Sequence, residues 1–471
     1  MAHPDPQEAE TNERYSHSRI YQWFDSRLDL DDELLGKAFP EDRYGSFLLG
    51  EVSLFCFVIL AVTGTVLGLL YVPAAQNVQY VGQVSDYAGT TVPQAFSSVL
   101  HITYDVRLGM YVRMLHHWAS YVFVAAIGIH AMRIFFSGAY RNPREINWVI
   151  GTSLLAIAMI EGFLGYALPY DNFSQTATGI GFQLTQSIPF IGTWVTNLVF
   201  GGNWPANAST IIPRMFFYHV FLLPAVIAGL IAAHLGILVR QKHTEQQGTR
   251  KDLPDTENAP DYDDESVVVG IPFAPNQIAV TIIVGLFTVG IVSFLAGLFP
   301  IQRIAIAGPA SPFETPLQPA PAWFFMWTYG ALKLAISALG SYGTFVFGVL
   351  IPGLVVGAMF LWPFVDRSEE PRHFTANPLD RPLPTAVGIA SIAFVLILSI
   401  AGMNEIVAES LGPNITATML HLPLQLLSVV IPVVYGLIVY FMLRRRVRRK
   451  DSKRSANRSK MDSAGRMPDD D

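Results

Sequence analysis

The chain has 471 residues, of which 51% are hydrophobic and only 14% are charged, and its mean hydropathy is +0.36. Soluble domains average about 25% charged residues, so the composition excludes an ordinary soluble protein and indicates a membrane protein. The net charge of −6 predicts no nucleic-acid partner. A single cysteine excludes an intrachain disulfide, a cysteine-ligated iron–sulfur cluster and a CxxCH haem attachment.

Apolar stretches long enough to cross a bilayer recur along the whole chain. A hydrocarbon core about 30 Å thick needs about 20 apolar residues in a helix. The sequence therefore predicts an all-α integral membrane protein with eight transmembrane helices. We label these helices spans A to H, at residues 47–72, 111–136, 148–168, 215–239, 277–299, 342–364, 385–403 and 422–443.

The distribution of positive charge predicts the orientation in the cell membrane. With both termini in the cytoplasm, eight spans place 26 of the 31 Lys and Arg residues on the inside, as the positive-inside rule requires. A seven-span arrangement would instead place the basic run RRRVRRK (444–450) outside. The eight-span arrangement is therefore preferred.

Composition divides the chain into five segments. The first is a polar cytoplasmic segment with a predicted surface helix at IYQWFDSRLDL (20–30), and the last is a basic and polar tail that we expect to be disordered. Apolar pieces such as IPFIGTWVTNLVF (188–200) predict short interfacial helices between spans C and D. The segments are 1–46, the four-span N-terminal domain 47–240, the acidic linker 241–270, the four-span C-terminal domain 271–443 and the tail 444–471.

Two spans carry histidines at matched spacing. His116 and His130 lie 14 residues apart in span B, and His219 and His234 lie 15 apart in span D, which is ~21 and ~22 Å of helix. Because both spans run in the same direction, the first histidine of each lies near the outer surface and the second near the inner one. A lone histidine could equally make a helix–helix hydrogen bond, and His117 is interpreted as a polar interface residue. Two depth-matched pairs favour four metal ligands, one pair for each of two haems.

Glycines repeat the histidine spacing on the two neighbouring spans. Gly50 and Gly64 lie 14 residues apart in span A, and so do Gly151 and Gly165 in span C. Alone, each is more often a glycine of helix packing. As a set, they predict a four-helix bundle in which flat cofactors pack closely against spans A and C.

Three arginines lie near the predicted ligands. Arg113, Arg133 and Arg214 are candidates for binding haem propionates or for contributing to a quinone site, because guanidinium suits carboxylates. Arg133 could instead extend its charge to the inner membrane surface.

The chain resembles cytochrome b of the bc-type quinol oxidoreductases, and its N-terminal half is most similar to the bf branch of plastids and cyanobacteria. The 15-residue histidine spacing of span D is also typical of that branch. The similar stretches are IYQWFDSRLDL, PQAFSSVLHI (93–102), HHWAS, AYRNPREINWVIG (139–151), GYALPYD (165–171), IPFIGTW, RMFFYHVFLLP (214–224) and, more loosely, PAPAWFFMWTYGALK (319–333). Both halves lie in one chain, as in bc1 complexes.

The resemblance implies two non-covalent b haems, the outer on His116 and His219 and the inner on His130 and His234. It also implies quinol oxidation near the outer face, with one electron passing to a Rieske iron–sulfur protein. The other electron crosses the membrane to an inner quinone site. A cytochrome c or a small copper protein would accept electrons downstream, and the complex would be a homodimer in a respiratory chain.

The outer quinol site departs from the family pattern. Where the family has Pro-Glu-Trp-Tyr, this chain has Pro321, Ala322, Trp323 and Phe324, so the glutamate that normally accepts a quinol proton is missing. Pro321 and Trp323 remain candidate quinol-site residues.

An unusual acid in span C offers a replacement for the missing glutamate. Glu161 lies four residues before Gly165, near the outer end of the span. Because an ionisable residue within a span is a functional candidate, we hypothesise that Glu161 replaces that glutamate beside Tyr166. The alternative is a structural hydrogen bond or a water-lined surface position. A second departure concerns the extra haem of the bf branch, which is attached covalently to a cysteine in span A. Leu48 occupies the matching position in this chain. That haem is therefore not expected, and Cys56 is interpreted as a small apolar residue.

Two other functions compete with this interpretation. A cytochrome b could serve as an electron conduit from quinol to a dedicated terminal enzyme, such as a nitrate reductase, without bifurcation. A transporter or channel would have broken helices and unpaired charges at the membrane midplane. The polar residues here cluster at two depths instead, which argues against transport.

Overall fold

Within the part of the chain that it describes, the computed structural model has eight helices long and apolar enough to cross a membrane, and all eight predicted spans are confirmed. The structure describes residues 38–40, 48–241, 270–272, 277–311, 313, 316, 321–340, 342–368, 372, 375 and 377–464. Spans A to H are Leu49–Leu70, Gly109–Ser137, Glu145–Ala167, Ala208–Gln241, Ile278–Leu298, Tyr342–Val365, Pro382–Gly402 and Ala417–Lys450. The predicted surface helix at 20–30 and the interior of the acidic linker lie outside the described residues.

Short helices and two small β-ladders join the spans. The helix Gly192–Val199 lies within the apolar piece 188–200, which confirms a short helix there. The other short helices are Gln94–Tyr104, Asn172–Gln186, Ile304–Ala307, Met326–Lys333 and Asn404–Leu411. The ladders are antiparallel, Ala38–Pro40 with Gly270–Pro272 and Asn77–Gln79 with Thr91–Pro93.

The last helix extends well beyond the membrane-length part of span H. It runs without a break over His421–Ala464, so the prediction of a disordered tail is wrong as far as Ala464. The physical reason lies in the composition, because no glycine or proline occurs between Gly436 and Gly465 and the arginines and lysines are good helix formers.

Spans A to D form the centre of the molecule. Span A packs on span B, span C packs on span D, and span E packs against both A and B. Residues from four different spans meet in one apolar core, Cys56, Ala119, Phe123, Ala158 and Ile227. Cys56 is fully buried there, as expected for a small apolar side chain.

The connection between spans E and F covers the predicted outer end of the central bundle. The indole N–H of Trp118 donates to the carbonyl of Phe299 at 2.8 Å. The backbone N–H of Asn172 donates to the carbonyl of Gly308 at 3.1 Å. These contacts connect the second half of the chain to the outer ends of spans B and C, where the candidate site lies.

On the predicted inner side, a buried polar cluster joins the two halves of the chain. Arg381 donates to the carboxylate of Asp366 and to the hydroxyl of Tyr140, and Tyr140 donates to Asp366. The indole N–H of Trp362 donates to the oxygen of Tyr140 at 2.6 Å. Burial raises the pKa of Tyr140, so its hydroxyl keeps the proton that it donates. The cluster therefore ties the B–C connection to the F–G connection.

We expect Arg381→Met to destabilise the protein strongly. Arg381 is buried, and its removal leaves the Asp366 carboxylate and the Tyr140 hydroxyl without their shared donor. Breaking a fully buried pair costs about 3–5 kcal/mol, and because the Asp366 side chain is 29% exposed, we expect a loss toward the lower end of that range. Thermal unfolding of the detergent-solubilised protein measures the loss. Arg367→Met is the control, because Arg367 is exposed, and an equal loss in both variants would contradict this role of the cluster.

Candidate functional site

The outer histidines face each other across the central bundle. The rings of His116 and His219 have centroids 6.1 Å apart and are nearly perpendicular, at 82°. A Cβ added at Gly64 would lie 3.1 Å from Cε1 of His116, and one added at Gly165 would lie 2.6 Å from Cε1 of His219. Each outer histidine ring therefore occupies space that the absence of a glycine side chain leaves open.

The inner histidines repeat this arrangement one level deeper. A Cβ at Gly50 would lie 3.6 Å from Cε1 of His130, and a Cβ at Gly151 would lie 3.5 Å from Cε1 of His234. Nδ1 of His130 is buried and has no hydrogen-bond partner among the described residues. The four glycines and four histidines thus form four facing pairs at two levels.

A local irregularity explains why the two histidine spacings differ. Span D contains a π-helical turn over Tyr218–Leu222, which includes His219. A π turn accommodates one extra residue without changing the direction of the helix. The 15-residue spacing in span D is therefore equivalent to the 14-residue spacing in the regular helix of span B.

The outer histidines also have side-chain partners on the neighbouring spans. Thr63 Oγ1 lies 2.9 Å from Nδ1 of His116. Glu161 Oε1 lies 2.8 Å from Nδ1 of His219, and the backbone carbonyl of Glu161 lies 3.2 Å from the same atom. Sequence analysis missed Thr63, although its place directly before Gly64 was a usable signal.

A cavity of about 320 Å³ has both outer histidines and their facing glycines, Gly64 and Gly165, in its walls. Its walls are mostly apolar, and Glu161 and Tyr166 both line it. Ala322 and Phe324 reach the same cavity from the second half of the chain. The structure therefore brings the hypothesised acid, the predicted tyrosine and the altered motif together around one space.

The other two predicted residues of the altered motif do not line the cavity. Pro321 and Trp323 are not among the residues that line the cavity. Trp323 is 47% exposed, and its ring contacts that of Phe324 edge to face at 5.6 Å. A Cβ at Gly162 would lie 2.9 Å from Cζ of Phe324, so the motif packs onto span C one residue after Glu161.

The three arginines have different surroundings. Arg113 lines the cavity, donates to the carbonyl of Gln302 at 2.9 Å, and has a buried Nε with no partner among the described residues. Arg214 donates to the backbone carbonyls of Asn197 and Leu198 at 2.9 and 3.2 Å, so its guanidinium is engaged with the C–D connection. Arg133 is half-buried near the inner end of span B.

A second carboxylate, which sequence analysis did not single out, lies near the inner level. Oε1 of Glu51 accepts hydrogen bonds from Nε2 of Gln277 at 2.8 Å and from Oγ1 of Thr281 at 2.9 Å. The other oxygen of Glu51 is buried without a partner among the described residues. An acid directly after Gly50, at the start of a span, was a signal that could have identified it.

The residues present fit a pair of planar cofactors with histidine ligands. Each level offers two imidazoles from different helices, and glycines leave space where a flat ring must approach the backbone. The unpartnered N–H of Arg113 suits a carboxylate at the outer level.

Comparisons with known proteins identify the class. The model of the cytochrome b N-terminal/b6/petB family matches residues 121–309, and that of the cytochrome b C-terminal/b6/petD family matches residues 309–419. With the eight spans, these matches define a multi-pass membrane protein with the cytochrome b fold. The cytochrome bc1 complex cytochrome b subunit of Corynebacterium diphtheriae is 36% identical over 393 residues, covering 81% of this chain and 70% of that protein.

A further relative and a solved structure agree. The subunit of the same name from Mycobacterium tuberculosis is 35% identical over 404 residues, covering 82% of this chain and 69% of that protein. The chain therefore belongs to the family of cytochrome b subunits of cytochrome bc1 complexes, which bind haem b and act in membrane electron transport. A chain of a structure titled "Hyperthermophilic respiratory Complex III" shares the fold, with a TM-score of 0.65, 21% identity and coverage of 89% of this chain and 98% of that one.

Proposed function

We propose that this chain is the di-haem subunit of a bc-type quinol oxidoreductase in a respiratory chain. The observation that carries the proposal is the set of four glycine–histidine pairs at two levels of the central bundle. His116 and His219 would hold the outer haem, and His130 and His234 the inner one. When bound, the two haems supply one-electron redox chemistry and a path for electrons across the membrane.

We place the oxidation of quinol in the part of the outer cavity next to Tyr166 and Phe324, because His116 and His219 line the same cavity and would hold the outer haem there. Its apolar walls suit a quinol ring, and Tyr166 and Glu161 offer polar groups at the edge of that space. Glu161 would accept a quinol proton in place of the glutamate that Ala322 replaces. Pro321 and Trp323 would hold the backbone of the motif so that Phe324 closes the cavity, and Arg113 would bind a haem propionate. Arg133 stays a candidate for the inner propionates, and Arg214 would support the outer site by holding the C–D connection.

We expect Glu161→Gln to lower the rate of quinol oxidation at least about 100-fold, because a positioned proton acceptor typically contributes that much or more. The measurement is the steady-state reduction of the complex's electron acceptor by quinol across a range of pH. Glu145→Gln, at the other end of the same span, is the control. An unchanged rate and pH profile in Glu161→Gln would rule out this role.

The partners follow from the same proposal. A Rieske iron–sulfur protein would take one electron from each quinol at the outer face and pass it to a cytochrome c or a small copper protein. The chain would work as a homodimer, with both termini in the cytoplasm, as the distribution of positive charge supports. The 15-residue histidine spacing of span D supports a bf-type origin for the first four spans.

One observation favours a second candidate function. Ala322 occupies the position of the family glutamate and lines the cavity, so the standard proton acceptor is missing. A cytochrome b without efficient bifurcation would be a linear conduit from quinol to a dedicated terminal enzyme, such as a nitrate reductase.

Oxidant-induced reduction of haem b separates the two functions. Membranes are supplied with quinol, the inner quinone site is blocked, and a high-potential oxidant is added. Bifurcated oxidation predicts a rise in reduced haem b, because the oxidant removes one electron and forces the other into the haems. If the oxidant only oxidises haem b, the linear conduit replaces the bifurcating subunit as the assignment.

A further inference from the structure

One of the four candidate ligands has a carboxylate as its immediate neighbour. Nδ1 of His219 lies 2.8 Å from Oε1 of Glu161, and both side chains are largely buried, at 17% and 16% exposed. The carbonyl of Glu161 lies 3.2 Å from the same nitrogen. Because a carboxylate and a carbonyl can only accept at these distances, the geometry makes Nδ1 the donor and leaves Nε2 as the free nitrogen.

The three other candidate ligands have no such partner. Nδ1 of His116 bonds the neutral hydroxyl of Thr63. The buried Nδ1 atoms of His130 and His234 contact no carboxylate among the described residues. Among the described contacts, direct hydrogen bonding to a carboxylate is thus specific to one ligand of the outer level.

We propose that Glu161 is a positioning residue for His219 and that it lowers the reduction potential of the outer haem. The inference rests on the proposed function, because it takes His219 as an axial ligand. A carboxylate that accepts the outer N–H of a ligating imidazole fixes the ring orientation and raises the basicity of the metal-bound nitrogen. A more basic ligand and a nearby negative charge both favour the ferric state of the iron.

The contact has a consequence for the direction of electron flow. Lowering the potential at the outer level alone increases the driving force from the outer to the inner level. Oε2 of Glu161 is buried with no partner among the described residues, so the bond to His219 occupies only one of the two carboxylate oxygens. The midpoint potential reports the positioning role, whereas the rate of quinol oxidation responds to both roles.

The test is a redox titration of the haem absorption bands in the purified complex carrying Glu161→Gln. Glutamine keeps the shape and an acceptor oxygen but removes the charge. We expect both haems to remain bound and the outer midpoint potential to rise. The rise is about 59 mV if the ratio of oxidised to reduced haem changes tenfold at a fixed potential. The inner midpoint should stay at its wild-type value.

Glu51→Gln is the matched control, because it neutralises a carboxylate that bonds Gln277 and Thr281 and not a histidine. It should leave the outer potential unchanged. The inference is overturned if Glu161→Gln binds both haems at wild-type potentials, or if Glu51→Gln shifts the outer potential equally.

If Glu161→Gln fails to bind the outer haem, a conservative variant separates the loss of charge from a change in packing. Glu161→Asp keeps the charge and should then restore the haem, with a potential closer to wild type. If Glu161→Asp loses the haem as well, packing at the position and not charge is responsible, and the inference is wrong. Its failure is distinct from failure of the proposed function, which would show in the unaltered complex as the absence of two haems with separate potentials.

Discussion

Replacing His234 with leucine should remove the inner haem and leave the outer haem in place. Leucine fills a similar volume but has no nitrogen to bind iron, and the facing Gly151 offers no substitute ligand. The outer pair, His116 and His219, lies at the other level of the bundle and keeps its own partners. Haem content per chain, measured with a redox titration of the purified complex, should fall to one haem with a single midpoint potential.

His117→Leu is the control for this experiment. His117 directly follows a candidate ligand, but its ring packs edge to face on Tyr121 with centroids 4.8 Å apart and is not opposed by a second histidine. This variant should retain both haems. Two bound haems in His234→Leu, or the loss of one in His117→Leu, would show that the ligand assignment is wrong.

The spans and the histidine levels were accessible from the sequence for a simple physical reason. A bilayer imposes a minimum length of apolar helix, so hydropathy alone located all eight spans. The constant rise of a helix then converted residue spacing into depth. The spacing of the glycines indicated which two spans would face the histidines, and the structure brings Gly64 to His116 and Gly151 to His234.

Contacts that depend on helix rotation and on loops were not accessible in this way. Sequence spacing placed Glu161 at the depth of the outer quinol site, but the direction of its carboxylate toward His219 depends on how spans C and D rotate against each other. The π turn at Tyr218–Leu222 is a local change in hydrogen bonding that hydropathy does not reveal. The helical tail was missed because its charge suggested disorder, whereas its helix propensity prevailed through Ala464.

Gly165→Val should prevent stable binding of the outer haem while leaving the inner haem unaffected. A Cβ at this position would already lie 2.6 Å from Cε1 of His219, and valine adds two methyl groups on a stiff side chain. His219 would have to move away from the cavity and from Glu161. Overpacking of this kind costs about 1–3 kcal/mol, and each 1.4 kcal/mol weakens binding about tenfold. Haem content and the optical spectrum of the purified variant measure the loss.

Gly128→Val provides the comparison, because a Cβ there meets no atom within 4 Å. Gly128 lies in span B between His116 and His130, so its substitution adds the same bulk to a haem-binding helix without touching a ligand. It should retain both haems. If Gly165→Val also retained both, with an unshifted outer potential, the glycines would be ordinary packing residues and not part of the site. A loss confined to Gly165→Val would instead show that the glycines spaced 14 residues apart leave space for the ligand rings and for the haems that these rings bind.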